Sequence, residues 1–104
     1  MGDTPPIGSY ERIAVRRLTE DGRDAGLIVW FFCPGCDDAH AYRVPRWTFS
    51  GTVQKPTFRP SLLCRGMRRC HLFVTDGQIH YCGDCDHALA GKVVELPELP
   101  EWLR

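Results

Sequence analysis

Cys70-His71-Leu72-Phe73-Val74-Thr75-Asp76-Gly77-Gln78-Ile79-His80-Tyr81-Cys82-Gly83-Asp84-Cys85 carries two instructions. The first is Asp76-Gly77, set between two alternating runs; this dipeptide takes up the left-handed conformations of a two-residue hairpin turn. Counting outward pairs Thr75 with Gln78, Val74 with Ile79, Phe73 with His80, Leu72 with Tyr81 and His71 with Cys82. Side chains alternate along a strand. One face therefore carries Cys70, Leu72, Val74, Ile79 and Tyr81, a core surface, and the other carries His71, Phe73, His80 and Cys82. The second instruction is Cys82-Gly83-Asp84-Cys85, a tight turn that aims both of its sulfurs at one point, as tetrahedral zinc requires.

Upstream, Cys33-Pro34-Gly35-Cys36 repeats the spacing. The apolar run Leu27 to Phe32, rich in β-branched and aromatic residues, reads as a buried strand leading into this knuckle. Tyr10 to Leu18 alternates as a half-buried strand, Thr19 to Gly26 is a polar turn, and His40 to Val44 is the return strand of the knuckle. Trp47 to Pro60, broken by Gly51, Pro56 and Pro60, reads as an ordered loop with short extended pieces. Ser61 to Cys64 is a short strand, followed by a basic turn from Arg65 to Arg69. Asp84 or Asp86 caps a short helix through His87-Ala88-Leu89-Ala90 that ends at Gly91. Lys92 to Leu96 is a last strand, and Leu99, Trp102 and Leu103 pack one helical turn. The expected fold is a small α+β domain, mostly β: a zinc-stabilised treble-clef or zinc-ribbon-like domain with a β-hairpin and a short C-terminal helix. Residues 1–8 are expected to be a flexible N-terminal tail, and 9–104 a single zinc-binding domain.

Six cysteines in 104 residues call for disulfides in an oxidising compartment or a metal in a reducing one. The start of the chain shows no export signal and no apolar run spans a bilayer, so the expectation is a cytoplasmic protein binding Zn2+. A thioredoxin-like redox site needs a strand leading into a helix, whereas Pro34 and Gly35 suit a tight knuckle. Thirteen Lys plus Arg balance thirteen Asp plus Glu, which removes the broad attraction to nucleic acid or anionic membrane. The expected ligands are Cys33, Cys36 and Cys85. A fourth comes from Cys70, Cys82, His71 or His87, and spacing alone selects Cys82. His40 and His80 read as surface or hydrogen-bonded histidines, and Cys64 as a buried apolar residue. Trp47, Phe49 and Phe58 read as core or loop anchors.

Five further groups of residues belong together: Cys33-Pro34-Gly35-Cys36 with His40, Trp47-x-Phe49-x-Gly51, Pro56-Thr57-Phe58-x-Pro60-Ser61, Cys70-His71-x-Phe73-Val74-x-Asp76-Gly77, and Asp84-Cys85-x-His87-Ala88-Leu89-Ala90-Gly91. From about Trp30 to Leu96 the chain resembles an uncharacterised family of small cysteine- and histidine-containing phage and prophage proteins. Members sometimes carry the label ammonia monooxygenase, for which this chain has neither membrane segment nor ligands. Relatives also occur near bacterial ubiquitin-like conjugation genes. The family pattern has an apolar residue in place of Cys82, so the resemblance implies Cys70 as the fourth ligand, with Cys82, His71 and His87 as alternates. A closed thiolate site of this kind is structural, and the expected function is a non-catalytic adaptor that binds another protein, with no catalytic residues. Two alternatives stand beside it. One is a zinc-dependent, hydrolase-like enzyme using His40, His71, His87 or Asp84 near the metal. The other is a nucleic-acid-binding zinc ribbon using Arg65, Arg68 and Arg69.

Overall fold

Of the run Tyr10 to Leu18, only the part from Ala14 is strand, and it continues to Glu20; Ile13, Ala14 and Val15 are all buried, so the expected alternation does not hold where the strand begins. The computed structural model describes residues 3–104. Strands β1 (Gly8–Ser9), β2 (Ala14–Glu20), β3 (Arg23–Cys33) and β4 (Asp38–Val44) form an antiparallel sheet in that order. Pairing of Glu20 with Arg23 shortens the expected polar turn to Asp21-Gly22, both at positive φ. On β3, Val29, Phe31 and Cys33 are buried while Ile28, Trp30 and Phe32 are only half-buried. The apolar run thus covers the core with one face.

The second sheet holds β7 (Leu62–Arg65), β8 (Arg69–Thr75), β9 (Gln78–Tyr81) and β10 (Val93–Glu95), in the order β10-β9-β8-β7. The β8–β9 register is the one counted from the turn, from Leu72↔Tyr81 to Thr75↔Gln78. Asp76 and Gly77 have φ of 51° and 78°, as a two-residue turn of this kind requires. Between the sheets, the segment expected as a loop forms a hairpin of β5 (Thr48–Gly51) and β6 (Pro56–Arg59). Its Phe49 and Phe58 join Val15, Val29, Phe31 and Tyr42 of the first sheet and Leu72, Val74, Ile79 and Tyr81 of the second in one core. The centre is Phe58, stacked on Tyr42 at 4.2 Å between ring centroids. Phe58→Ala is expected to cost about 3–5 kcal/mol, read as a lower urea midpoint with an unchanged slope.

The expected short helix is a correction. Residues 86–87 form a bend and 88–91 a turn, and the helical structure among the described residues is a single 3-10 turn, Glu101–Leu103. Four residues before Gly91 are too few to nucleate a helix, and the intended caps are engaged elsewhere: the Asp86 carboxylate accepts the Arg69 N–H at 2.9 Å and Asp84 faces His71. The protein is a small, mostly-β domain with almost no helix. Of the segment expected as a tail, Asp3 donates its N–H to the Phe49 carbonyl at 2.7 Å, Pro5 is buried and Gly8–Ser9 pairs with β2; residues 1 and 2 lie outside the described residues. Among the described residues no helix is long and apolar enough to cross a membrane.

Candidate active site

Strand β8 turns Cys70 and Leu72 into the core and His71 outward, because successive side chains point to opposite faces. His71 pairs with Leu63 on β7, and Ser61, two residues before Leu63, lies on the same outer face. After β9 the chain turns back: Cys82 donates its N–H to the His71 carbonyl at 2.8 Å. That turn returns Asp84 to the imidazole. His71 Nδ1 lies 3.2 and 3.3 Å from the two Asp84 carboxylate oxygens, and His71 Nε2 lies 2.9 Å from Ser61 Oγ. An ionised carboxylate only accepts hydrogen bonds, so the Nδ1 beside it carries the proton and Nε2 keeps its lone pair for the serine hydroxyl. This is the order of contacts in a Ser-His-Asp triad, which is recognised by geometry and not by sequence position. Side-chain exposures of 29% for His71 and 48% for Asp84 leave the group open to a substrate.

The backbone at both ends of this array is held. Trp47 Nε1 donates to the Ser61 carbonyl at 3.1 Å. Cys85 Sγ accepts the His71 N–H at 3.3 Å and faces the His71 carbonyl at 3.1 Å, so one thiol grips both polar groups of the residue whose ring it backs. Trp47→Phe keeps the ring but drops the donor; it is expected to lower acylation of Ser61 about tenfold, from the loss of one hydrogen bond at a positioned group, with little change in thermal midpoint.

Directly beneath the array lie the sulfurs. Ligand atoms of Cys33, Cys36, His40 and Cys70 lie within 4.8 Å of one another, and a second group shares Cys70 with Cys85 and His87. Both can hold a metal. Cys33 and Cys70 sulfurs are 3.8 Å apart, and the Tyr81 hydroxyl is 3.1 Å from Cys33 Sγ. The hydrogen bond from Cys70 is the largest influence on Cys33; together with further hydrogen bonds, the Tyr81 hydroxyl's among them, it outweighs burial and holds the Cys33 thiol well below its usual range, while Cys70 is raised by the same contact. His40 Nε2 is buried with no hydrogen-bond partner. His87 is occupied differently: its Nδ1 accepts the Leu89 N–H at 3.2 Å, which leaves the proton on Nε2, 3.3 Å from Cys70 Sγ. Cys82 is placed apart from these, in a third group of candidate metal ligands with His71 and Asp84. Of the expected ligands, the structure therefore collects Cys33, Cys36 and Cys70 around one point, and groups Cys85 with Cys70 and His87.

A family model described as the bacterial ubiquitination-like system serine protease, BubE, matches residues 7–82. The chain belongs to the BubE family. The match takes in Ser61 and His71 and stops two residues short of Asp84. No curated protein and no solved structure gave a significant match. Membership overturns two expectations. A non-catalytic adaptor, and with it the leaning away from an enzyme, does not fit a family described as a serine protease; the description also says nothing of phage. Ser61 closes the motif Pro56-Thr57-Phe58-x-Pro60-Ser61, and nothing local in that motif marks a nucleophile. Register was the available signal, since counting β7 against β8 puts Ser61 and His71 on one face.

Proposed function

We propose that this chain is a serine peptidase in which Ser61 is the nucleophile, His71 the general base and then acid, and Asp84 the carboxylate that fixes the His71 tautomer. The observation that carries this reading is the pair of contacts on one ring, Ser61 at Nε2 and Asp84 at Nδ1. Ser61 Oγ attacks a carbonyl carbon as its proton passes to His71 Nε2. The tetrahedral adduct collapses by breaking the C–N bond, and the leaving amine takes the proton from Nε2. Water then attacks the Ser61 ester, again losing a proton to His71, which returns it to Ser61 Oγ as the carboxylic acid departs. The family's description, a serine protease of a bacterial ubiquitination-like system, supports a protein substrate; on this reading the bond cut is an amide of a ubiquitin-like protein.

The metal is Zn2+, and its ligands are Cys33, Cys36, Cys70 and His40. Three thiols and an imidazole close a tetrahedral structural site, and the unpartnered Nε2 of His40 fits the fourth place. His87, protonated on the nitrogen that faces Cys70, supports that thiolate from outside the site. Zinc there ties β3, β4 and β8 together, and no step of the reaction passes through it.

Burst kinetics with p-nitrophenyl acetate test the reading. About one nitrophenolate per chain is expected in a first turnover that Ser61→Ala removes, as accumulation of an acyl-enzyme implies. A burst that survives in Ser61→Ala and disappears on mild thiol alkylation would assign the nucleophile to a cysteine instead.

A further inference from the structure

Strand β7 closes its sheet on one side only. Its inner edge pairs with β8, and among the described residues no strand lies against the other edge. Which groups that edge exposes follows from the hairpin. A two-residue turn makes Thr75↔Gln78 a hydrogen-bonded pair, and such pairs alternate along an antiparallel ladder. Phe73 and His71 therefore direct their backbone groups toward β9, as the Cys82 N–H to His71 carbonyl bond of 2.8 Å bears out. Leu63, opposite His71, then has its N–H and C=O pointing away from β8. No hydrogen bond outside the sheet takes either group among the described residues. The same strand begins just after Ser61 and ends in a basic turn. Arg65, Arg68 and Arg69 are exposed, and none of them forms an ion pair among the described residues. Arg68 donates to the Asp86 carbonyl at 3.5 Å, and the Asp86 carboxylate turns to the Arg69 backbone.

We propose that the outer edge of β7 takes the substrate as an added strand, and that the segment it takes carries acidic residues opposite the Arg65–Arg69 turn. This rests on Ser61 being the nucleophile. An extended peptide added to a free edge gains main-chain hydrogen bonds, here from Leu63, while side-chain pockets and charges set the choice of sequence. At about 3.3 Å per residue, a carboxylate about four residues from the cleaved bond reaches Arg65. An open edge beside a nucleophile is otherwise an aggregation hazard, which the flanking arginines also reduce.

The test uses the intact chain and a pool of internally quenched peptides of random sequence, with the products identified by mass spectrometry. In parallel, diisopropyl fluorophosphate reports whether Ser61 is reactive without engaging the edge. Wild type is expected to select Asp or Glu about three to five residues from the cleaved bond. Leu63→Pro removes the outward N–H without removing a ladder bond; it is expected to cut the pool about tenfold more slowly while phosphorylation of its Ser61 changes less than about threefold. Leu63→Val, which keeps the N–H while changing the side chain, is expected to cut the pool several-fold faster than Leu63→Pro. Arg65→Glu with Arg69→Glu reverses the preference toward Lys and Arg. No acidic preference, wild-type cleavage by Leu63→Pro, or a wild type that is phosphorylated but cuts nothing in the pool overturns the proposal and leaves the peptidase reading standing. Failure of wild-type Ser61 to be phosphorylated removes that reading instead. Should Leu63→Pro also lose labelling, the charge-reversed pair decides.

Discussion

His71→Ala is expected to slow acylation of Ser61 by about a thousandfold or more, and Asp84→Asn to slow it by nearly as much. The first removes the base that takes the Ser61 proton. The second removes no atom from the reacting centre. An amide at position 84 can present a donor to Nδ1, and the ring then puts its proton on Nε2, where it faces Ser61 with nothing to accept. Because the three residues act as a unit, His71→Ala with Asp84→Asn is expected to be no slower than His71→Ala alone. Presteady-state nitrophenolate release from the four proteins measures this. Multiplying effects in the double variant would mean that Asp84 acts independently, for example on substrate charge.

Loss of the metal is expected to be as severe for the fold as loss of His71 is for the chemistry. The apparent binding energy of a structural zinc is about 10–16 kcal/mol, comparable to the whole stability of a domain this size, about 5–15 kcal/mol. Cys33→Ser is therefore expected to be purified without the one zinc per chain proposed for wild type, and to lose its near-ultraviolet circular dichroism. Cys64→Ser, outside the proposed ligand set, keeps both. The array should fail together with the metal for a reason visible in the chain: Cys70 precedes His71 and Asp84 precedes Cys85, so inward sulfurs and outward triad groups are neighbours on the same backbone. Cys85 adds a direct grip on His71 at 3.3 and 3.1 Å. Among histidines, His40→Ala is expected to release zinc and His87→Ala to retain it at reduced affinity. The reverse result would exchange their roles.

How far the sequence could be read divides along local and non-local lines. The β8–β9 register was legible because a two-residue turn sets it, and so were the inward faces of Leu72, Val74, Ile79 and Tyr81. The strand entering the knuckle was legible from Leu27 to Phe32. The helix after Cys85 was not real: its apolar residues are too few, and Asp84 and Asp86, good caps in isolation, make tertiary contacts that no local rule anticipates. The hairpin of Thr48–Gly51 and Pro56–Arg59 was hidden by its prolines and glycine, which read as a loop until the Phe58 stack on Tyr42 holds it. The triad was hidden in another way. Ser61, His71 and Asp84 have no motif of their own: in sequence His71 reads as an alternate metal ligand and, with Asp84, as a candidate acid–base group beside a metal, while Ser61 carries no signal of its own. They meet through pairing of β7 with β8 and through the turn after β9. His40 was read as an ordinary histidine because its position beside Cys33, Cys36 and Cys70 depends on the pairing of β3 with β4.

The most direct measurement of the central claim is the site of covalent modification by diisopropyl fluorophosphate, located by tandem mass spectrometry after digestion. One adduct per chain is predicted, on the Ser61 hydroxyl, abolished in Ser61→Ala and slowed about a thousandfold or more in His71→Ala. An unmodified Ser61 in folded, zinc-loaded protein, or labelling that persists undiminished in His71→Ala, would contradict the account.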